Sequence, residues 1–199
     1  MTHASDARVQ RMRPLPPKLP VIVSVLDVGT SKICCVIARL TPRPIGDILP
    51  GRTHLIEVLG FGYQRSRGIK AGAVVDLDQA EKAIRLAVDA AERMAGLTVE
   101  SLIVSLSCGR LGSETFSVKY DLSGSEVSEN DIQRVLEIGA SYKVKDGRTI
   151  VHALPIGYAL DNNRGIRDPR GMIGSSLSVD THLVSADAVP LRNLEISVN

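Results

Sequence analysis

The sequence predicts a mixed architecture, an α/β portion followed by a compact α+β module. Three observations lead there. A continuous β-branched run, Val21–Leu26 (VIVSVL), is followed across a short polar segment by a second, Ile33–Leu40 (ICCVIARL). A long alanine-striped helical pattern begins after Asp76. From about residue 107 onward the signals run strand, helix, strand, strand. The chain has 199 residues, enough for one large domain or two small ones. Hydrophobic residues make up 44 % and charged residues 23 %, the usage of a chain that buries a core. Aromatic residues are only 3 %, with no Trp, so that core is built from Val, Ile, Leu and Ala. The same scarcity argues against a nucleic-acid platform that stacks bases on rings.

The elements follow in order. Residues 1–19 read as a disordered tail, basic and rich in proline (Pro14, Pro16, Pro17). Val21–Leu26, apolar throughout, reads as a strand buried on both faces. Ile33–Leu40 is a second strand, and Leu55–Gly62 a third, in a meander. Residues 41–53, with Pro42, Pro44, Gly46, Pro50 and Gly51, read as a loop. Residues 64–75 look irregular. Asp76 is a good helix N-cap, with Gln79 placed as in a capping box. Ala80, Ala83, Ile84, Ala87, Val88, Ala91 and Ala95 then recur at helical spacing, and Gly96 closes the helix. Glu81–Arg85 and Asp89–Arg93 are favourable pairs on the other face.

Leu102–Ser107 is a fourth strand and Thr115–Tyr120 a weaker one. Ser128 caps a second helix carrying Ile132, Val135, Leu136, Gly139 and Tyr142 on one face. Ile150–Leu160 is a strand in which Pro155 forces an edge or a bulge. Residues 161–174 read as a loop, and Leu177–Ala186 alternates as a half-buried strand. Residues 188–199 read as the start of a helix cut short.

Net charge is +2, too small to imply a polyanion partner. Cys34, Cys35 and Cys108 form no CxxC pair and read as free thiols in a reducing cytosol. No apolar run is long enough for a membrane span. His54, His152 and His182 lie on three different strands without ligand spacing, so a metal site among them is not expected.

The segment richest in chemistry is Asp27-Val28-Gly29-Thr30-Ser31-Lys32. Gly29 lets a ligand approach the backbone, and successive amides of Gly29, Thr30 and Ser31 can form an anion-binding concavity. Lys32 adds a cation, and Asp27 at the strand end can hold Mg²⁺ through water. A turn in which Asp, Gly, Thr and Ser serve only local geometry explains the same residues equally well. It is neither a Walker A loop nor a Rossmann fingerprint. Arg164, Arg167 and Arg170 cluster in the 161–174 loop and form a candidate partner surface, against the default of a solvated loop.

A strand ending in D-x-G-T-S-K and followed at once by another strand resembles the first phosphate motif of the actin, Hsp70 and sugar-kinase superfamily. Further blocks narrow the resemblance. They are Ser66-Arg67-Gly68-Ile69-Lys70 with Gly72, Val74 and Asp76; Ile150-Val151-His152 with Leu154, Pro155, Tyr158, Leu160 and Asp161; Gly165-Ile166 with Pro169, Gly171 and Met172; and His182-Leu183-Val184. In that order they resemble FtsA, the actin-like family of bacterial cell division.

The resemblance implies an incomplete actin-like (ribonuclease H-like) ATPase lobe with an inserted SHS2-type module. Residues 20–106 correspond to part of subdomain 1A, 107–187 to subdomain 1C, and 188–199 to a truncated return helix. It implies ATP with Mg as cofactor for the longer protein, held by Asp27, Gly29, Thr30, Ser31 and Lys32, with Asp27 facing the metal. It also implies FtsZ and other division proteins as partners, and self-association through the SHS2-type module. The site of action it implies is the inner face of the cytoplasmic membrane at the division site, reached through a C-terminal helix not found in these residues. The second phosphate loop and the second lobe are not found either. The chain by itself is therefore expected to bind ATP weakly or not at all, and to be non-catalytic. Two other readings remain open on the residues: a non-enzymatic interaction module like that of a pilus-assembly relative, and a small-molecule kinase of the same superfamily.

Overall fold

The computed structural model describes residues 15–44 and 53–199. Most of the predicted tail and residues 45–52 of the predicted 41–53 loop lie outside the described residues. Among the described residues, one compact unit runs to Gly109 and adds Val189–Asn199, and the other is Arg110–Ala188.

In the first unit, β1 (Val21–Val28), β2 (Lys32–Pro42) and β3 (His54–Arg65) form the expected antiparallel meander. A short ribbon follows, β4 (Ile69–Lys70) paired with β5 (Ala73–Val74), inside the stretch that reads as irregular in sequence. Next come α1 (Leu77–Ala95) and β6 (Ile103–Ser105). β6 pairs parallel to β1, so the sheet order is β3-β2-β1-β6. The helix ends are set locally. Asp76 accepts from the Gln79 amide at 3.0 Å, and Gly96 stands left-handed at φ 65°. The Gln79 side chain reaches the Asp76 carboxylate at 2.7 Å, so the reciprocal arm of the expected capping box goes to a side chain. Of the two expected ion pairs on α1, Glu81–Arg85 forms, at 2.6 Å.

The alanine stripe has a partner surface made for it. Gly60 and Gly62 of β3 lie beneath Ala91 and Ala87, where any side chain would strike helix backbone. The core there is Leu26, Val28, Ile33, Cys35, Ile37, Ala80, Ala83, Ile84, Ala87 and Ala91. Leu194 joins it from α3 (Ala188–Val198). Burial of each large aliphatic side chain contributes roughly 1.5–3 kcal/mol. The double burial expected for Val21–Leu26 is corrected. Leu26 and Val28 are buried, but Ile22 and Val25 are 47 % and 37 % exposed. The α1 side of the sheet is covered, whereas the opposite side leaves Val25 and Phe61 exposed in cross-strand rows with Val36.

The second unit contains β7 (Gly112–Asp121), α2 (Glu129–Ala140), β8 (Arg148–Leu160), β9 (Asn163–Ile166) and β10 (Ser176–Asp187). All pairings are antiparallel, in the order β7-β10-β8-β9. Ser128 caps α2 through a complete capping box with Asp131. The core joins Ile132 and Val135 to Leu122, Val127, Leu160, Leu177 and Val179. Gly139 brings α2 down onto β10, since a methyl group there would sit 3.2 Å from the Thr181 hydroxyl.

One expectation holds in this unit and two change. The register shift between Asp180 and Thr181 passes from Gly157 to Pro155, leaving Ile156 outside the pairing, and β9 pairs only with Tyr158–Leu160, so Pro155 stands beside a bulge on a part of β8 paired on one side only, as expected. The 161–174 stretch is not all loop: Asp161 and Asn162, both left-handed at φ 49° and 71°, turn the chain tightly into β9. β10 lies centrally between β7 and β8 and is therefore more buried than the half-buried reading expects.

Arg148 closes the open end of this unit. Its guanidinium donates to Asp187 Oδ1 at 2.7 Å, to the Ser185 carbonyl at 2.7 Å and hydroxyl at 3.1 Å, and to the Arg110 carbonyl at 3.0 Å. It thereby joins the segment entering β7 to the last residues of β10.

Candidate functional site

The turn between β1 and β2 is built from residues 29–31. The Gly29 amide donates to the Lys32 carbonyl at 2.9 Å, which closes the turn. That corrects one part of the expected concavity, because the Gly29 N–H is already engaged. The amides of Thr30 and Ser31 have no acceptor among the described residues, and both residues are exposed. They are the two backbone donors the turn can offer an anion.

Neighbouring segments fix the turn from three sides. The Ser66 amide donates to the Ser31 carbonyl at 3.1 Å, and the Gly72 amide to the Thr30 hydroxyl oxygen at 3.0 Å. The Ser107 hydroxyl reaches the Val28 carbonyl at 3.4 Å. Asp27 pairs with Cys34 on one side and Ser105 on the other and is exposed. Ile33 and Cys35 are buried in the core shared with α1, so strand alternation puts Asp27, Lys32 and Cys34 on the other face of the sheet. Arg65 stands opposite Lys32 in register. Its proximity is not legible locally, since it depends on the pairing of β2 with β3, and it adds a second cation beside Lys32.

This donor set fits a phosphate group: two free amides, two hydroxyls and two cations. Its single carboxylate fits a Mg²⁺ ion that keeps most of its water and takes further ligands from the phosphates. Among the described residues no group of three His, Cys, Asp or Glu side chains could hold a metal alone. His54 is engaged with the Thr53 hydroxyl at 2.9 Å. Burial pushes the Cys35 and Cys108 thiols up from their ordinary range.

The three arginines of the 161–174 stretch have separate surroundings. Arg164, on β9, lies 4.0 Å from Asp180. Arg170 is held by Glu129 at 2.6 Å and Asp168 at 2.8 Å, which raises its already high pKa. Arg167 is exposed and makes no ion pair among the described residues. The Arg170 guanidinium, followed by the Gln133 amide, holds the Glu129 carboxyl below its ordinary range. The Ser128 hydroxyl does the same for Asp131.

An α/β unit with an anion-competent hairpin turn, in one chain with a strand–helix–strand–strand module, is the class of protein defined here. Comparison with known proteins then shows what the chain is similar to. Residues 109–185 match the family model described as the SHS2 domain inserted in FtsA. The FtsA likeness extends across nearly the whole chain. Cell division protein FtsA of Rhizobium meliloti (strain 1021) is 53 % identical over 189 residues, which cover 95 % of this chain and 43 % of that protein. FtsA of Agrobacterium fabrum (strain C58) is 53 % identical over 196 residues, covering 98 % and 44 %. FtsA of Escherichia coli (strain K12) is 28 % identical over 173 residues, covering 87 % and 39 %. The chain thus spans less than half the length of these relatives. Among solved structures, a chain of the PilM-PilN type IV pilus biogenesis complex aligns with TM-score 0.49 and 9 % identity, covering 89 % of this chain and 44 % of that one. The fold is mixed α and β, as expected, and its second unit contains the SHS2 module that the FtsA resemblance implies. No helix among the described residues is long and apolar enough to cross a membrane.

Proposed function

We propose that this chain supplies the phosphate-binding hairpin and the self-association module of a cell-division adaptor. In this reading the Thr30 and Ser31 amides would hold the phosphates of ATP, and Lys32 and Arg65 would neutralise their charge. Asp27 would hold a hydrated Mg²⁺, and that ion would offset the remaining phosphate charge. Gly29 keeps the backbone approachable. In this reading the nucleotide acts as a ligand that orders the lobe. The SHS2 module carries contacts with further copies and with division proteins. The longer protein then links FtsZ polymers to the inner face of the cytoplasmic membrane at the division site through a terminal amphipathic helix.

The observation that supports this most is the turn itself: two unengaged amides between Asp27 and Lys32, in a chain 53 % identical to proteins named for cell division. The test is isothermal titration of the full chain with magnesium-ATP up to millimolar concentration. Weak binding is expected, and it should disappear in Lys32→Ala and in Asp27→Ala. Binding that both variants leave unchanged would place the nucleotide elsewhere and remove the basis of the reading. Co-sedimentation with FtsZ polymers and sedimentation velocity of the chain alone test the adaptor and self-association halves separately.

A further inference from the structure

We propose that the backbone amide of Gly72 is a positioning group for the hairpin turn, setting the Thr30 hydroxyl as a hydrogen-bond donor toward a bound anion. This rests on the phosphate reading above and names a part of it that lies 42 residues away in sequence. A threonine hydroxyl has one proton and two lone pairs. The Gly72 N–H occupies one lone pair of Thr30 Oγ1 at 3.0 Å. The hydroxyl proton must then turn away from Gly72, and because Thr30 is exposed and neighbours two unengaged amides, an anion bound at the turn can accept it. Without Gly72 the hydroxyl would rotate freely, and ordering it would cost part of the binding energy.

The position of Gly72 is itself over-determined. It forms, with Ala71, the left-handed tip of the β4–β5 ribbon, at φ 76° and 49°. The ribbon base is fixed separately: Ile69 is buried, and the amides of Val75 and Asp76 both donate to the Gly68 carbonyl, at 2.8 and 3.1 Å. A methyl group on Gly72 would stand 3.0 Å from the Ser107 carbonyl. The tip therefore has little room to move aside from Thr30.

The experiment compares the full chain with Thr30→Val, which keeps the shape and removes the acceptor, and Thr30→Ser, which keeps the hydroxyl. Site-resolved hydrogen–deuterium exchange reads the Gly72 amide, and titration to millimolar magnesium-ATP reads the donor role. The expected result is faster Gly72 exchange in Thr30→Val, by about tenfold or more, with affinity falling by a similar factor. Thr30→Ser should retain both. Unchanged Gly72 exchange in Thr30→Val would overturn the contact. Faster exchange with unchanged affinity would overturn the donor role alone. A chain that binds no ATP sinks the phosphate reading and the donor role with it, while Gly72 exchange still decides whether the contact exists.

Discussion

Gly62 of β3 lies directly beneath Ala87 of α1, so close that a methyl group on Gly62 would overlap the Ala87 carbonyl. Gly60 stands in the same relation to Ala91, one helical turn further along. The pair lets the helix rest backbone to backbone on the strand, and the alanine stripe of α1 is its counterpart. The obstruction is main chain on both sides, and no side-chain rotation relieves it.

Gly62→Ala therefore destabilises the chain by about 3 kcal/mol, at the upper end of the range for overpacked sites. Chemical denaturation with far-UV detection checks this. A loss below about 1 kcal/mol would mean that α1 can lift from the sheet.

Arg148 and Asp187 form a partly buried pair, with side chains 21 % and 34 % exposed, which also engages the carbonyls of Ser185 and Arg110. Arg148→Ala leaves those acceptors without their donor and costs about 2 kcal/mol. A double-mutant cycle with Asp187→Ala isolates the ion pair, with an expected coupling of about 1 kcal/mol. No measurable coupling would show that the carbonyl contacts alone hold the end of the module.

Glu129 titrates below its ordinary value of 4.5 because Arg170 and Gln133 hydrogen-bond its carboxylate. A carboxyl group depressed in the folded state stabilises the fold above its unfolded pKa. That contribution is lost as the pH falls from 4.5 through the lower folded value. An NMR titration of Glu129 should show a midpoint below 4.5, moving back toward it in Arg170→Ala. A midpoint that Arg170→Ala leaves in place would assign the shift to another group.

What the sequence discloses is what local chemistry decides. The ends of α1 are legible because Asp76 and Gly96 act within one turn of the helix they bound. The Ser128 cap and the apolar face of α2 are legible for the same reason. β9 is masked by its glycine-rich surroundings, although Asp161-Asn162 is a two-residue turn signal that could have revealed it. The parallel β1–β6 pairing, the Lys32–Arg65 register and the Thr30–Gly72 contact all join residues distant in sequence, and no local pattern encodes them. Of the candidate site, the motif is legible and its hydrogen-bond economy is not. Only the three-dimensional turn shows that Gly29 serves Lys32 while Thr30 and Ser31 remain free.

The first and last strands of the SHS2 module are neighbours, with Gly112 opposite Ser185, so its two ends lie about one strand spacing apart, near 4.8 Å. A segment that begins and ends at one place can be spliced into a loop of another protein without stretching the host backbone. The same geometry makes it removable, because a linker of a few residues spans the gap its excision would leave. Arg148 works at that junction like a clasp on a locket, keeping the two ends together whatever chain they are joined to.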